Sequence, residues 1–143
     1  MNAVVNDAVR RWTEGWARGW VTHDVELIAS LYTDDAVHLS APFREPQPTR
    51  DYAAWAFSDE ESAEVWFAEP LVEGNRAAVA WWAVSRGVDS RDTTLAGVSM
   101  LSFGSDGLVV RQLDYWNSAE DSATTPPEHW GPVAVHEKST AAI

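Results

Sequence analysis

The chain contains no cysteine. Disulfides, thiolate metal sites and a cysteine nucleophile are thereby excluded, and a reducing, cytoplasmic setting is expected. Long apolar runs are missing as well. No stretch approaches the ~18 residues of a membrane span, and the opening MNAVVNDAVRRW lacks the apolar core of a secretion signal. No membrane partner is expected. Positive charge is scarce: 10 Lys and Arg stand against 22 Asp and Glu, a formal net charge of −12. Such a field repels phosphate backbones and argues against nucleic acid as a partner. The four histidines, His23, His38, His129 and His136, have no close metal-ligand spacing, so no metal is expected. No GxGxxG, phosphate-binding loop or nucleophile elbow occurs, and no cofactor is expected either.

Tryptophan is what the chain has in excess, nine in 143 residues. The length is that of one domain with room for a substantial core. Core packing accounts for part of the tryptophan content. So many large rings in so small a domain also suit an apolar cavity for a small organic molecule.

Val5, Val9, Trp12, Trp16 and Trp20 recur at helical spacing with charged residues between them, which predicts an amphipathic first helix over 5–20. Gly15 and Gly19 within it mark close approach of another element. Thr22-His23-Asp24 breaks the pattern, with His23 a solvated connector and Asp24 the N-cap of a second helix, Val25 to Tyr32. Thr33-Asp34-Asp35 reads as a polar turn before a short strand, 36–41. The prolines at 42, 46 and 48 then force an irregular loop carrying Phe43. Thr49 can cap a short third helix whose Tyr52, Trp55 and Ala56 share a face. Asp59-Glu60-Glu61 reads as a solvated turn.

From residue 63 the period changes to two. Strands are expected over 63–72, 77–86, 93–103 and 108–116, with short turns between them. Sequential strands with short connections form an antiparallel meander, and helices followed by a meander make an α+β domain. The last hairpin turns at Gly104-Ser105-Asp106-Gly107. Beyond it, alternation places Val110, Gln112, Asp114 and Trp116 on one face. Asp114 is a carboxylate in an apolar strand, so it is either solvated or used inside a pocket. After 117 the chain is acidic and proline-punctuated, a composition that usually stays disordered, yet Trp130 in it implies a fold-back that buries one ring.

The order of these pieces resembles the SnoaL-like proteins of the nuclear transport factor 2-like superfamily. The long first helix precedes His23-Asp24 and Leu31 to Val37. The proline loop, Arg76-Ala77-Ala78-Val79, and Phe103 to Trp116 with Asp106-Gly107 at the turn follow. The resemblance implies a cone over residues 1–117, a curved antiparallel sheet packed over the N-terminal helices with a pocket at its wide end. It leaves 118–143 as a tail, and it implies a homodimer. Ketosteroid isomerases of this superfamily place a tyrosine where Trp16 falls and a basic aspartate at Ser40 or Ala41. Their second aspartic acid falls near Ser99. That proton shuttle is therefore not expected here. Polyketide cyclases of the SnoaL type and limonene epoxide hydrolase keep an acidic residue where Asp114 falls. The hydrolase's Arg and second Asp have no counterpart in Leu95 to Phe103.

The reading that follows is a cofactor-independent acid/base enzyme acting on a small apolar molecule by cyclisation, isomerisation, dehydration or hydrolysis. Asp114 is the expected acid/base and His38 its partner, since imidazole titrates near neutrality. Trp16, Tyr32, Phe43, Trp55, Trp82, Ser99 and Trp116 are the expected walls. A ligand-binding or dimerisation module of the same fold without catalysis is the alternative.

Overall fold

The structure, a computed structural model, describes residues 2–140. Its elements are α1 (Asn2–Thr22), α2 (Val25–Ala29), β1 (Tyr32–Leu39), α3 (Thr49–Phe57), β2 (Glu60–Ala68), β3 (Leu71–Glu73), β4 (Arg76–Gly87), β5 (Asp92–Phe103), β6 (Val109–Glu120) and β7 (Val133–Lys138), with a 3-10 turn at Glu128–Trp130. The apolar stripe of α1 decides how that helix sits. Val9, Trp12, Trp16 and Ala17 are all buried against the sheet and the other helices. Gly19 allows α2 to approach, because a Cβ there would lie 2.6 Å from Ile28 Cγ1, and Ile28 is fully buried. Asp24 caps α2 by accepting from the Leu27 amide at 3.0 Å. No helix among the described residues is long and apolar enough to cross a membrane.

The second helix stops at Ala29, three residues before the expected end. The sheet takes its place: the Val109 amide donates to the Leu31 carbonyl at 2.9 Å, and Tyr32 opens β1 opposite Val109. Thr33-Asp34-Asp35 is accordingly an irregular stretch inside β1, where the register shifts, and not a separate turn.

The sheet runs in the order β1-β6-β5-β4-β2-β7, with β3 beside β4. It is antiparallel except for one pair. Strands β1 and β6 are parallel, so the sheet is mixed and the all-antiparallel expectation is corrected there. The reason is topological: most of the chain lies between β1 and β6, so no short hairpin fixes their relative direction. Register shifts occur in β2, β1 and at the β5–β6 turn, and such bulges bend a sheet. At Gly97 the absent Cβ lets β5 lie close on Trp116, whose Cα would be 2.8 Å from it. The α+β cone expected from the sequence is the fold observed, with the helices inside the curve.

Sheet membership continues past residue 117. Strand β6 extends to Glu120, and β7 pairs antiparallel with β2. Between them Trp130 rests edge-to-face on Trp82 at 6.2 Å, and the Trp82 indole donates to the Thr124 carbonyl at 2.7 Å.

Candidate active site

Asp114 sits on the inner face of β6, directly opposite Ser99 on β5, and is 6 % exposed. A bulge near the start of β6 shifts the alternation, so Val109 is buried and Val110 exposed; the expectation that Val110 faces inward with Asp114 is corrected. From Gln112 onward the expected parity holds. Ser99 donates to Asp114 Oδ1 at 2.6 Å and Gln112 Nε2 to the same oxygen at 2.9 Å. His38 Nε2 meets Oδ2 at 2.9 Å.

Donor chemistry fixes most proton positions in this group. Indole nitrogens can only donate. Trp12 and Trp16 both donate to the Tyr32 hydroxyl, at 3.0 and 2.7 Å, so that hydroxyl must give its own proton to Gln112 Oε1. Gln112 must then turn its amide nitrogen to Asp114. By the same logic Trp81, donating to Ser99 Oγ at 3.1 Å, commits the serine proton to Asp114. Oδ1 is therefore saturated. A carboxylate offers about four acceptor positions, and three donors occupy it, so one position remains, on Oδ2. Burial, the main cause, and the nearby Asp114 charge hold the Tyr32 and Tyr52 phenols above their usual range, so both stay neutral donors.

His38 is fully buried. Its Nδ1 lies 3.2 Å from Thr49 Oγ1, and its ring lies between those of Tyr32 and Tyr52 at 6.1 and 4.8 Å. Thr49 is thus not the N-cap of α3. Pro48 holds that position, and the threonine hydroxyl serves the histidine instead.

A cavity of about 420 Å³ opens beside Asp114. Of the side chains singled out from the sequence, Trp16, Trp55, Ser99, Asp114 and Trp116 line it. Tyr32 and His38 lie outside its lining but bond to the network that supports Asp114. Two expectations fail. Phe43 is fully exposed, because the Ala41–Arg44 turn directs it to solvent. Trp82 faces outward, because β4 buries Val79, Trp81 and Ala83 on alternate positions, and the 124–130 segment covers it. Arg44 takes the place Phe43 was expected to fill. Its guanidinium lies 5.0 Å from the Trp55 ring and 5.5 Å from Trp116, and it donates to Ser40 Oγ at 3.2 Å. Trp116 is fixed by donating to the Ser40 carbonyl at 2.6 Å.

Glu60 is not among the residues that the sequence pattern singles out for the site. It is not a solvated turn residue but the inward-facing start of β2, with its side chain 7 % exposed. Trp20 Nε1 donates to its two oxygens at 3.1 and 3.2 Å, His23 Nε2 lies 2.8 Å away, and Ser85 donates to Oε2. His23, expected in solvent, instead stacks on Phe57 at 4.8 Å. The bulge between Glu60 and Ser62 hides this from sequence. Ala63, Val65 and Phe67 face the core, so strict alternation would send Glu60 to the opposite side.

Burial raises the Glu60 carboxyl above its ordinary 4.5, only partly offset by its hydrogen bonds. A raised carboxyl binds its proton more tightly folded than unfolded. Its contribution to stability is present below the unfolded value and is lost as pH rises through the folded one. Urea unfolding across pH 4–8 should therefore show a smaller loss on the alkaline side for Glu60→Gln than for the parent. Parallel profiles would contradict this assignment.

Among the described residues no three His, Asp or Glu side chains converge as metal ligands. The model of the SnoaL-like domain family matches residues 9–112. No curated protein matches the sequence. Solved structures do. A candidate scytalone dehydratase from Novosphingobium aromaticivorans superposes with a TM-score of 0.70 at 16% identity, covering 94% of this chain and 96% of that one. The Delta 5-3-ketosteroid isomerase from a Mycobacterium species gives 0.66 at 16% identity, over 79% and 98%. SalBIII, an epoxide hydrolase/cyclase-like enzyme of pyran ring formation in salinomycin, gives 0.66 at 15%, over 78% and 94%. At such identities the likeness concerns the fold.

Proposed function

The chain belongs to the SnoaL-like domain family, and from that premise we propose a cofactor-independent acid/base enzyme that acts on a small, largely apolar organic molecule. Asp114 is the proton-transfer group. One observation carries the reading: a buried carboxylate lines an aromatic cavity and keeps a single acceptor position when Ser99, Gln112 and His38 have taken the others. A donor proton or an acidified C–H of a bound molecule meets that position on Oδ2. His38, outside the cavity lining, is a positioning residue that orients Oδ2. The names of the structural relatives support the class, since isomerisation, dehydration and ring closure each turn on moving a proton.

5-Nitrobenzisoxazole tests this without knowledge of the natural substrate. A general base removes its C3 proton, the C–H electrons complete the nitrile, and the N–O bond breaks to release a coloured cyanonitrophenolate. Saturable opening that depends on Asp114 is expected. A rate no greater than that of free acetate at equal concentration would leave a ligand-binding or dimerisation module.

The partner expected for the outer face is a second copy. Met100 pairs across strands with Leu113, and Val98 with Tyr115, on the side away from the helices, where Met100 and Tyr115 are exposed. Such a patch favours a two-fold homodimer. The outward-facing Trp82 is not part of it, because the chain itself covers that ring. Light scattering should give twice the chain mass, and a monomer throughout the micromolar range would refute it.

A further inference from the structure

Glu60 has no part in the chemistry proposed for Asp114, yet it lines the same cavity. Its surroundings repeat those of Asp114. Three side-chain donors, Trp20, Ser85 and His23, engage it, and the single Trp20 N–H is shared between both oxygens, so three protons serve a carboxylate with about four acceptor positions. Each buried carboxylate also has a histidine on one oxygen. The two groups lie far apart along the cavity. Trp12, in the Asp114 network, and Trp20, on Glu60, are eight residues apart on α1, on the order of 12 Å at 1.5 Å per residue. On β5, Ser99 and the strand partner of Ser85, Thr93, are six residues apart, on the order of 20 Å along the strand. Between them Trp16, Trp20 and Trp81 form a continuous aromatic wall, with ring centroids 6.2 and 5.9 Å apart.

We propose that Glu60, held by Trp20, Ser85 and His23, is a second ligand-binding carboxylate, and that the cavity selects an elongated molecule with an apolar middle and a hydroxyl or amine donor at each end. This rests on the preceding proposal only in that the ligand occupies this cavity. It holds whether or not Asp114 turns that ligand over. A purely structural Glu60 would need no opening to the cavity, and a site for one polar group would need only one buried carboxylate.

Three rigid rods separate the possibilities: biphenyl, 4-phenylphenol and 4,4′-dihydroxybiphenyl, titrated into the full chain and followed by quenching of tryptophan fluorescence. The diol should bind about tenfold or more tighter than the mono-ol, the scale of one hydrogen bond to a charged acceptor. Glu60→Gln should remove that advantage, because its one amide oxygen is taken by the existing donors and its amide nitrogen cannot accept from the ligand. Asp114→Asn should weaken the diol as well. Equal binding of mono-ol and diol to the parent chain overturns the proposal, as does a diol affinity unchanged in folded Glu60→Gln. If Glu60→Gln does not fold, the His23 ring resonances of the parent chain decide. They should move with the diol and stay fixed with biphenyl, and no movement with the diol overturns the proposal. A parent chain that opens nitrobenzisoxazole no faster than free acetate, with the diol preference intact, would defeat the catalytic reading alone.

Discussion

Asp114→Asn is expected to melt close to the parent protein and to open nitrobenzisoxazole roughly 10²–10⁴ times more slowly, the usual contribution of a general base. Stability is spared because the network can re-form around an amide. The asparagine oxygen keeps the Ser99 and Gln112 donors, which leaves its nitrogen facing His38 Nε2. His38 then needs its proton on Nδ1, where the Thr49 hydroxyl can turn from donor to acceptor. One tautomer change keeps His38 bonded to both the residue at 114 and Thr49. The base is nevertheless gone, since an amide oxygen does not hold a proton at neutral pH. Asp114→Ala is the contrasting case. It strands Ser99, Gln112 and His38 without their acceptor, and each buried orphan costs about 1–3 kcal/mol. A purely structural aspartate would show the reverse order, with Asn costing stability and turnover intact in whatever remains folded. Calorimetry and initial rates on both variants distinguish the two.

The parts of this molecule that the sequence discloses are those governed by local rules. The tryptophan stripe gives α1, Asp24 gives the start of α2, and the Gly104–Gly107 turn gives the β5–β6 hairpin, with Gly107 at φ +82°. Asp114 stands out because a charge interrupts an apolar strand. What stayed hidden depends on bulges and on distant partners. Bulges reverse the faces of Glu60 and Val110. Thr49 has the chemistry of a cap, but His38, eleven residues earlier, takes its hydroxyl. Tyr32 sits in β1 and not at the end of a helix because Val109, far along the chain, captures the backbone there. Arg44 and Phe43 are neighbours in one turn, and nothing local says which of them points inward.

Trp12 is where fold and site depend on one side chain, and Trp12→Ala is expected to come near to unfolding the protein. The ring is 2 % exposed, packs edge-to-face on Phe67 at 5.7 Å and leans on Trp16 at 6.3 Å. Removing so large a buried aromatic costs about 3–5 kcal/mol, a large share of the ~5–15 kcal/mol that holds a typical domain folded. Trp12→Phe separates packing from hydrogen bonding. It keeps most of the volume and deletes the indole donor, which serves Tyr32 at 3.0 Å and Gln112 at 3.3 Å. Neither acceptor is orphaned, since Trp16 still donates to Tyr32 and Tyr32 still donates to Gln112. The cost should then be near 1 kcal/mol, the worth of one net hydrogen bond. Gln112 stays pinned with its nitrogen on Asp114, so nitrobenzisoxazole opening should persist within a few-fold. Tyr32→Phe should do the opposite. It leaves the Trp16 indole without an acceptor and leaves Gln112 Oε1 with only the Trp12 indole at 3.3 Å, so the amide that donates to Asp114 is held less firmly. A larger loss of rate is expected from losing that one hydroxyl than from losing the Trp12 indole. Urea midpoints and rates on the three variants test the order. If Trp12→Phe slows opening as much as Tyr32→Phe does, the proton chain from Tyr32 through Gln112 is not what orients Asp114.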